Sequence, residues 1–285
     1  MHKHYYSQMP KTFVTLDPTQ GEQHADIGLK VQLEVRLIEG PAHRASLVFL
    51  HEGLGSVSQW TQRDADWPLA LCQASGRAGM VYARRGYGQS SPALRSHVDD
   101  THPSLLMPDY MHKEAWQVLP SLLEKLHIKN PVLLGHSDGA SIALLHASVH
   151  RVAACIAMAP HVLVESMAID AITNAKTAFE STDLRQRLAR HHADVEGAFW
   201  QWNDVWLSPA FRQFDIRADC ARLLAPLLLI QGDNDEYGSM LQLDEIARQA
   251  KHAQQLRLSD CGHSPQRDQP QKTLAAICGF LQNCN

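Results

Sequence analysis

No stretch of this chain approaches eighteen consecutive apolar residues, so nothing in it is built to span a membrane. Neither sign of charge dominates: 26 Lys and Arg stand against 30 Asp and Glu, a net of −4, which leaves no basic footprint for a nucleic acid. The opening "MHKHYYSQMPK" carries charge but no apolar segment behind it, so no secretory leader is expected. The six cysteines, Cys72, Cys155, Cys220, Cys261, Cys278 and Cys284, fall at no pairing interval, and Cys155 sits inside the apolar "VAACIAMAP". They read as reduced core thiols of a cytoplasmic protein rather than a disulfide framework. Histidine is plentiful, at 17, yet its clusters "MHKHYY" and His191-His192 lack a cysteine or carboxylate at ligand spacing, so no metal site is expected. His191-His192 is expected on a charged helix face beside Arg190 and Asp194. No period repeats, and no segment is of low complexity.

What remains is an ordinary globular composition, 45% hydrophobic and 20% charged over 285 residues, enough chain for one large or two small domains. "LKVQLEVRLI" alternates, placing Leu29, Val31, Leu33, Val35 and Leu37 on one face of a half-exposed strand, with "TFVTL" before it positioned to pair as a hairpin. From Ser46 the runs become short and continuously apolar: "SLVFL", "GMVYA", "PVLLG", "ACIAMA" and "PLLLIQG". Helical spacing separates them, as in Ala115, Val118, Leu119, Leu122, Leu123 and Leu126, where Pro120 predicts a kink or a late start. Strands alternating with helices predict an α/β fold, a mostly parallel sheet with helices on both faces. The alternation breaks once, between His161 and Arg222. There, amphipathic helical sequence carrying Phe199, Trp200, Trp202, Trp206, Phe211 and Phe214 predicts a packed helical cap. This cap, 161–222, is inserted before the last two strands of a core formed by 1–160 and 223–285.

In "PVLLGHSDGASIALL" an apolar run, Val132 to Leu134, meets a small-residue helix across Gly135-His136-Ser137-Asp138-Gly139. A turn that tight needs glycines beside the bend, and the serine at its apex is expected in a strained, outward-presented geometry. A serine hydroxyl is a poor nucleophile without a base, and the base needs an orienting carboxylate. In a parallel sheet both come from loops at the carboxyl ends of other strands. "PLLLIQGDNDEYGS" offers Asp233, Asp235 and Glu236, and "QLRLSDCGHSPQRDQP" offers His263. Asp233 directly follows the strand-end glycine, where a short side chain suits turn N–H groups.

Five motifs in this order, "HEGLGS", "RRGYGQS", "GHSDG", "GDND" and "GHSPQRDQP", resemble those of the α/β-hydrolase superfamily over nearly the whole chain. The likeness is greatest to its smaller bacterial esterases and valacyclovirase-like hydrolases. That resemblance implies Ser137 as nucleophile, Asp235 as acid and His263 as general base, with no cofactor or metal and a small-molecule substrate as partner. It also implies an oxyanion hole made by the backbone N–H of Asp138 and one from the loop after the third strand. Where the family has a glycine after the loop histidine this chain has Glu52, so Gly53 is the candidate donor and His51 is expected to buttress the loop.

Carboxylic ester hydrolysis is the leading expectation. The alternatives are a C–C hydrolase of aromatic ring-cleavage products, a lactonase, and a non-catalytic ligand-binding member of the fold. Haloalkane dehalogenases and epoxide hydrolases place aspartate where Ser137 stands. Two carboxylates beside a developing oxyanion are electrostatically awkward. Glu52 and Asp138 are therefore expected to pair with Arg84 or Arg85, or else to recognise a cationic group on the substrate. Trp202 and Trp206 are the candidates for an apolar pocket wall, in a cap expected to gate substrate rather than hold the fold together.

Overall fold

The computed structural model describes residues 12–17, 30–62, 65–93 and 106–284; the "MHKHYY" cluster and Leu29 lie outside the described residues. In chain order the strands are β1 (Thr12–Leu16), β2 (Val31–Ile38), β3 (Leu47–Leu50), β4 (Thr61–Gln62), β5 (Ala65–Asp66), β6 (Gly79–Tyr82), β7 (Val132–His136), β8 (Ala154–Met158), β9 (Leu227–Gly232) and β10 (Gln254–Leu258). Eight of them form one sheet in the order β1-β2-β6-β3-β7-β8-β9-β10, while β4 and β5 make a separate small hairpin. The pairs β1–β2 and β2–β6 are antiparallel, and every neighbour from β6 to β10 is parallel. The expected hairpin forms, with Val14 opposite Leu33.

Strands β3, β6, β7, β8 and β9 are buried along their whole length, which is why their sequences are continuously apolar rather than alternating. Their alternate residues feed two cores: Val48, Leu50, Met80 and Leu133 on one face, and Leu47, Phe49, Val81 and Leu134 on the other. Strand β2 departs from the half-exposed pattern. Leu33 and Val35 are buried, but Leu37 in the same phase is 55% exposed, while Glu34 on the opposite face is only 8% exposed. The loop after β6 covers that opposite face: Glu34 donates its N–H to Ser90 Oγ (2.8 Å), and its carboxylate accepts the Gln89 N–H (2.8 Å).

Pro120 does not set the start of its helix, which begins at Tyr110 and passes through a π-turn at Glu114–Val118 before continuing as Leu119–Lys125. Widening the backbone ring just before the proline absorbs its missing N–H without ending the helix.

Between β8 and β9 the chain forms helices Ser166–Ser181, Leu184–Leu188, Val195–Leu207 and Arg217–Cys220. Phe179 and Phe199 stack at 3.8 Å, and Trp206, Phe211 and Phe214 continue the aromatic packing. Trp202, Val205, Trp206 and Phe211 belong to the same buried cluster as Leu50 and Leu133, so this segment shares a core with the sheet. His192 is not on a charged surface. It is 4% exposed, its Nδ1 accepts the Gly88 N–H (3.0 Å), and its Nε2–H donates to the Leu54 carbonyl (3.0 Å). One imidazole thus ties the insertion to two strand-end loops. The six cysteines are free thiols, all buried except the half-buried Cys278. Among the described residues no helix is long and apolar enough to cross a membrane.

Candidate active site

Strand β7 ends at His136 and the helix Asp138–Ala147 begins two residues later. Ser137 joins them at φ 54°, ψ −121°, a conformation that residues with a side chain rarely adopt. Backbone contact enforces it. A Cβ at Gly135 would lie 2.1 Å from the Gly139 carbonyl oxygen, and one at Gly139 would lie 2.1 Å from that of Leu50. The bend brings Ser137 to the wall of a cavity of about 230 Å³, lined also by Gly53, Trp202, Trp206, Tyr237 and His263.

His263 donates from Nδ1–H to both carboxylate oxygens of Asp235, at 2.8 and 2.9 Å. Asp235 Oδ1 also accepts the N–H groups of Tyr237 (2.8 Å) and Gly238 (3.2 Å), and Oδ2 accepts the Gln231 amide (3.3 Å). Burial pushes the Asp235 carboxyl up, but the charge of His263 and these hydrogen bonds outweigh it and hold the group below its ordinary value. For His263, burial works downward and the Asp235 carboxylate outweighs it, so the imidazole ends above its ordinary value. Among the described residues no hydrogen bond joins the Ser137 hydroxyl to His263, although both face one cavity; such bonds often tighten only when substrate is bound. Asp233 is exposed and engages through its backbone N–H, which donates to the Leu258 carbonyl. The turn N–H groups expected of it are taken by Asp235.

The backbone N–H groups of Gly53 and Asp138 have no acceptor among the described residues; that of Asp138 is the first of its helix, where none is available. His51 buttresses the Gly53 loop. Its Nδ1–H donates to the Glu52 carbonyl (2.7 Å), and its Nε2 accepts the Arg84 N–H (3.0 Å). The Arg84 guanidinium donates to the carbonyls of His51 (2.5 Å) and Glu52 (3.0 Å). Asp138 is 1% exposed, accepts the Tyr110 hydroxyl at Oδ2 (2.6 Å) and lies 3.8 Å from Arg84 Nη2, so Arg84 rather than Arg85 faces it. The Glu52 carboxylate meets neither arginine. Its Oε2 lies 3.4 Å from His136 Nδ1. Burial alone would raise its pKa, and the imidazole more than offsets this, holding Glu52 well below the usual carboxylate range.

Several neighbours went unread in the sequence. His136 donates from Nε2–H to the His263 carbonyl (2.7 Å), so the residue before Ser137 holds the loop that carries the histidine. The ring of His161 lies 5.8 Å from that of His263 and 5.0 Å from that of Trp206; burial, then the charge of His263, push it down to about 3. Its signal was its position just past β8, at a strand carboxyl end. Trp206, expected at a pocket wall, does line the cavity, and it is buried and donates from Nε1–H to the Tyr110 oxygen (3.1 Å), linking the insertion to Asp138.

The model of the alpha/beta hydrolase family matches residues 47–277. The sn-1-specific diacylglycerol lipase ABHD11 of Mus musculus is 24% identical over 302 residues, covering 96% of this chain and 92% of that protein. Among solved structures, the enol-lactonase from Burkholderia xenovorans LB400 is similar with a TM-score of 0.65 at 20% identity, over 89% of this chain and 97% of that one. A thermophilic esterase from Thermogutta terrifontis has a TM-score of 0.65 at 17% identity, over 96% and 99% of the two chains. These two likenesses carry the fold.

Proposed function

The chain belongs to the alpha/beta hydrolase family, and from that premise we propose that it is a serine hydrolase cleaving a small carboxylic ester through an acyl-enzyme. One observation carries the reading: Ser137 and the Asp235-bonded His263 face one cavity beside the unengaged N–H groups of Gly53 and Asp138. In this reading His263 Nε2 takes the hydroxyl proton as Ser137 Oγ adds to the ester carbonyl. Gly53 and Asp138 donate to the oxyanion. As it collapses, the bond to the alcohol oxygen breaks and that oxygen receives the proton from His263. Water then gives a proton to the same Nε2 and adds to the acyl carbon. Ser137 Oγ leaves with that proton, and the carboxylic acid is released. Segment 161–222 serves as the cap over this cavity.

Relatives described as a lipase, an enol-lactonase and an esterase favour an oxygen ester over a C–C bond. The engagement of Asp138 by Tyr110, with Arg84 beside it, favours an acyl group without a cation. A fluorophosphonate probe and a panel of esters differing in acyl size test the reading. Labelling of the wild type that is lost in Ser137→Ala, together with ester turnover, is expected. An unlabelled protein with no turnover would instead favour a non-catalytic ligand-binding role.

A further inference from the structure

We propose that the indole N–H of Trp202 is a third hydrogen-bond donor to the substrate's carbonyl oxygen, delivered to the oxyanion site from the inserted helices; this rests on the serine-hydrolase reading above. Trp202 lies on the helix Val195–Leu207 and lines the same cavity as Ser137. The nitrogen-bearing part of its ring packs directly on Gly53. A Cβ at Gly53 would lie 2.1 Å from Nε1, 2.5 Å from Cδ1 and 3.0 Å from Cε2 of Trp202. Only a glycine leaves room for the indole there, and the atom nearest that glycine is the one that bears the hydrogen. The residue so covered is the one assigned the second backbone donor, and both Gly53 and Trp202 line the cavity that holds Ser137.

The donor itself is idle. Trp116, Trp200 and Trp206 donate to the Leu145 carbonyl, Glu196 Oε2 and the Tyr110 oxygen, respectively. The Trp202 N–H has no acceptor among the described residues, although the residue is only 6% exposed. Trp60 and Trp67 share that lack, but they stack on each other beside the β4–β5 hairpin and do not line the Ser137 cavity. Unlike those of Trp60 and Trp67, the Trp202 nitrogen is not fully buried, and a ligand oxygen in the cavity it lines can supply the missing acceptor. A tetrahedral oxyanion has lone pairs for three donors, one more than the two backbone N–H groups use. Phe199, packed edge-on at 6.0 Å, fixes the ring.

The test replaces Trp202 site-specifically with 3-benzothienylalanine, which keeps the ring shape and puts sulfur where the N–H was. Fluorophosphonate labelling of the wild type comes first and counts active sites in both proteins. Loss of one oxyanion donor is expected to lower kcat on the order of 10- to 100-fold, with KM changed by less than about twofold. Affinity for a trifluoromethyl ketone, which forms a hemiketal oxyanion on Ser137, should fall by the same factor, and an unreactive ether analogue of the ester should bind unchanged. A purely structural tryptophan would not produce that split. Unchanged kcat and ketone affinity in a fully labelled isostere overturn the proposal and leave the hydrolase reading standing. A wild type that neither labels nor turns over esters sinks both.

Discussion

Exchanging one oxygen of Asp235 for an amide nitrogen tests how His263 is oriented. The carboxylate is surrounded by donors: His263 Nδ1–H, the Tyr237 and Gly238 N–H groups on Oδ1, and the Gln231 amide on Oδ2. In Asp235→Asn the amide oxygen serves the two backbone groups best from the Oδ1 position. Its NH₂ then faces Gln231 Nε2, which is held in place by the Gly238 carbonyl, and His263. His263 meets an NH₂ by turning its Nδ1 lone pair to it, which moves the ring proton to Nε2. An imidazole protonated there cannot take a proton from Ser137. The expected loss in kcat is roughly 10³- to 10⁴-fold, or about 4–5.5 kcal/mol of barrier. The donor clash at Gln231 costs less, about 1–3 kcal/mol of stability. Exposed Asp233 gives the control, and Asp233→Asn should stay within about twofold of wild type. The pH profile adds a second readout. His263 must be neutral to act, and its raised pKa places the acid limb of kcat/KM above the ordinary histidine value of 6.5, with activity rising as pH increases through it. In Asp235→Asn the opposing charge is gone while the burial remains, so the limb moves down. Hydrolysis of p-nitrophenyl acetate from about pH 5 to 9, on a per-labelled-site basis, measures both effects. Asp235→Asn within tenfold of wild type, or Asp233→Asn the slower of the two, refutes the orientation mechanism.

Ser137→Ala should keep the fold and lose turnover by about 10⁴ or more, while Ser137→Gly should also raise Tm by a few degrees because φ 54° no longer strains it. His192→Ala orphans the buried Gly88 N–H and Leu54 carbonyl and should cost about 2–4 kcal/mol in urea unfolding; a loss under about 0.5 would make both bonds dispensable. Trp206→Phe should lower Tm without altering preference across an ester panel, since its indole is committed to Tyr110; altered preference at constant Tm would support the expected gating role instead. Matched amino, neutral and carboxylate esters should show no kcat/KM advantage for the amine. An advantage that disappears in Asp138→Asn would overturn the pairing of that carboxylate with Tyr110 and Arg84.

What could be read in the sequence was what neighbours along the chain decide. Continuous apolar runs marked strands covered on both sides, and the glycines flanking Ser137 marked the bend, because a missing Cβ there is a local steric requirement. What could not be read depends on parts distant in sequence. Glu34 is buried because a loop more than fifty residues later lies over it, while Leu37, on the other face of the same strand, is left exposed. The Arg84 guanidinium went largely to backbone carbonyls, which no charge count reveals, and left Glu52 to His136. Charged neighbours made His192 look like surface, yet its two ring nitrogens join separate loops. The turn logic applied to Asp233 was sound chemistry at the wrong position, since Asp235 caps the turn and holds the histidine with one carboxylate.

The chain of contacts from Trp206 through Tyr110 to Asp138 has a mechanical consequence. Swinging the helix Val195–Leu207 outward like a hinged door would strip Tyr110 of a donor and wet a carboxylate adjoining Ser137. The Ser137 cavity shares Glu52, Gln59 and Arg267 with a neighbouring one of about 400 Å³, and entry between these residues would break none of these bonds. Entry by that side would be limited by girth, so ester turnover is expected to fall as the acyl group thickens and to stay indifferent to an oil–water interface.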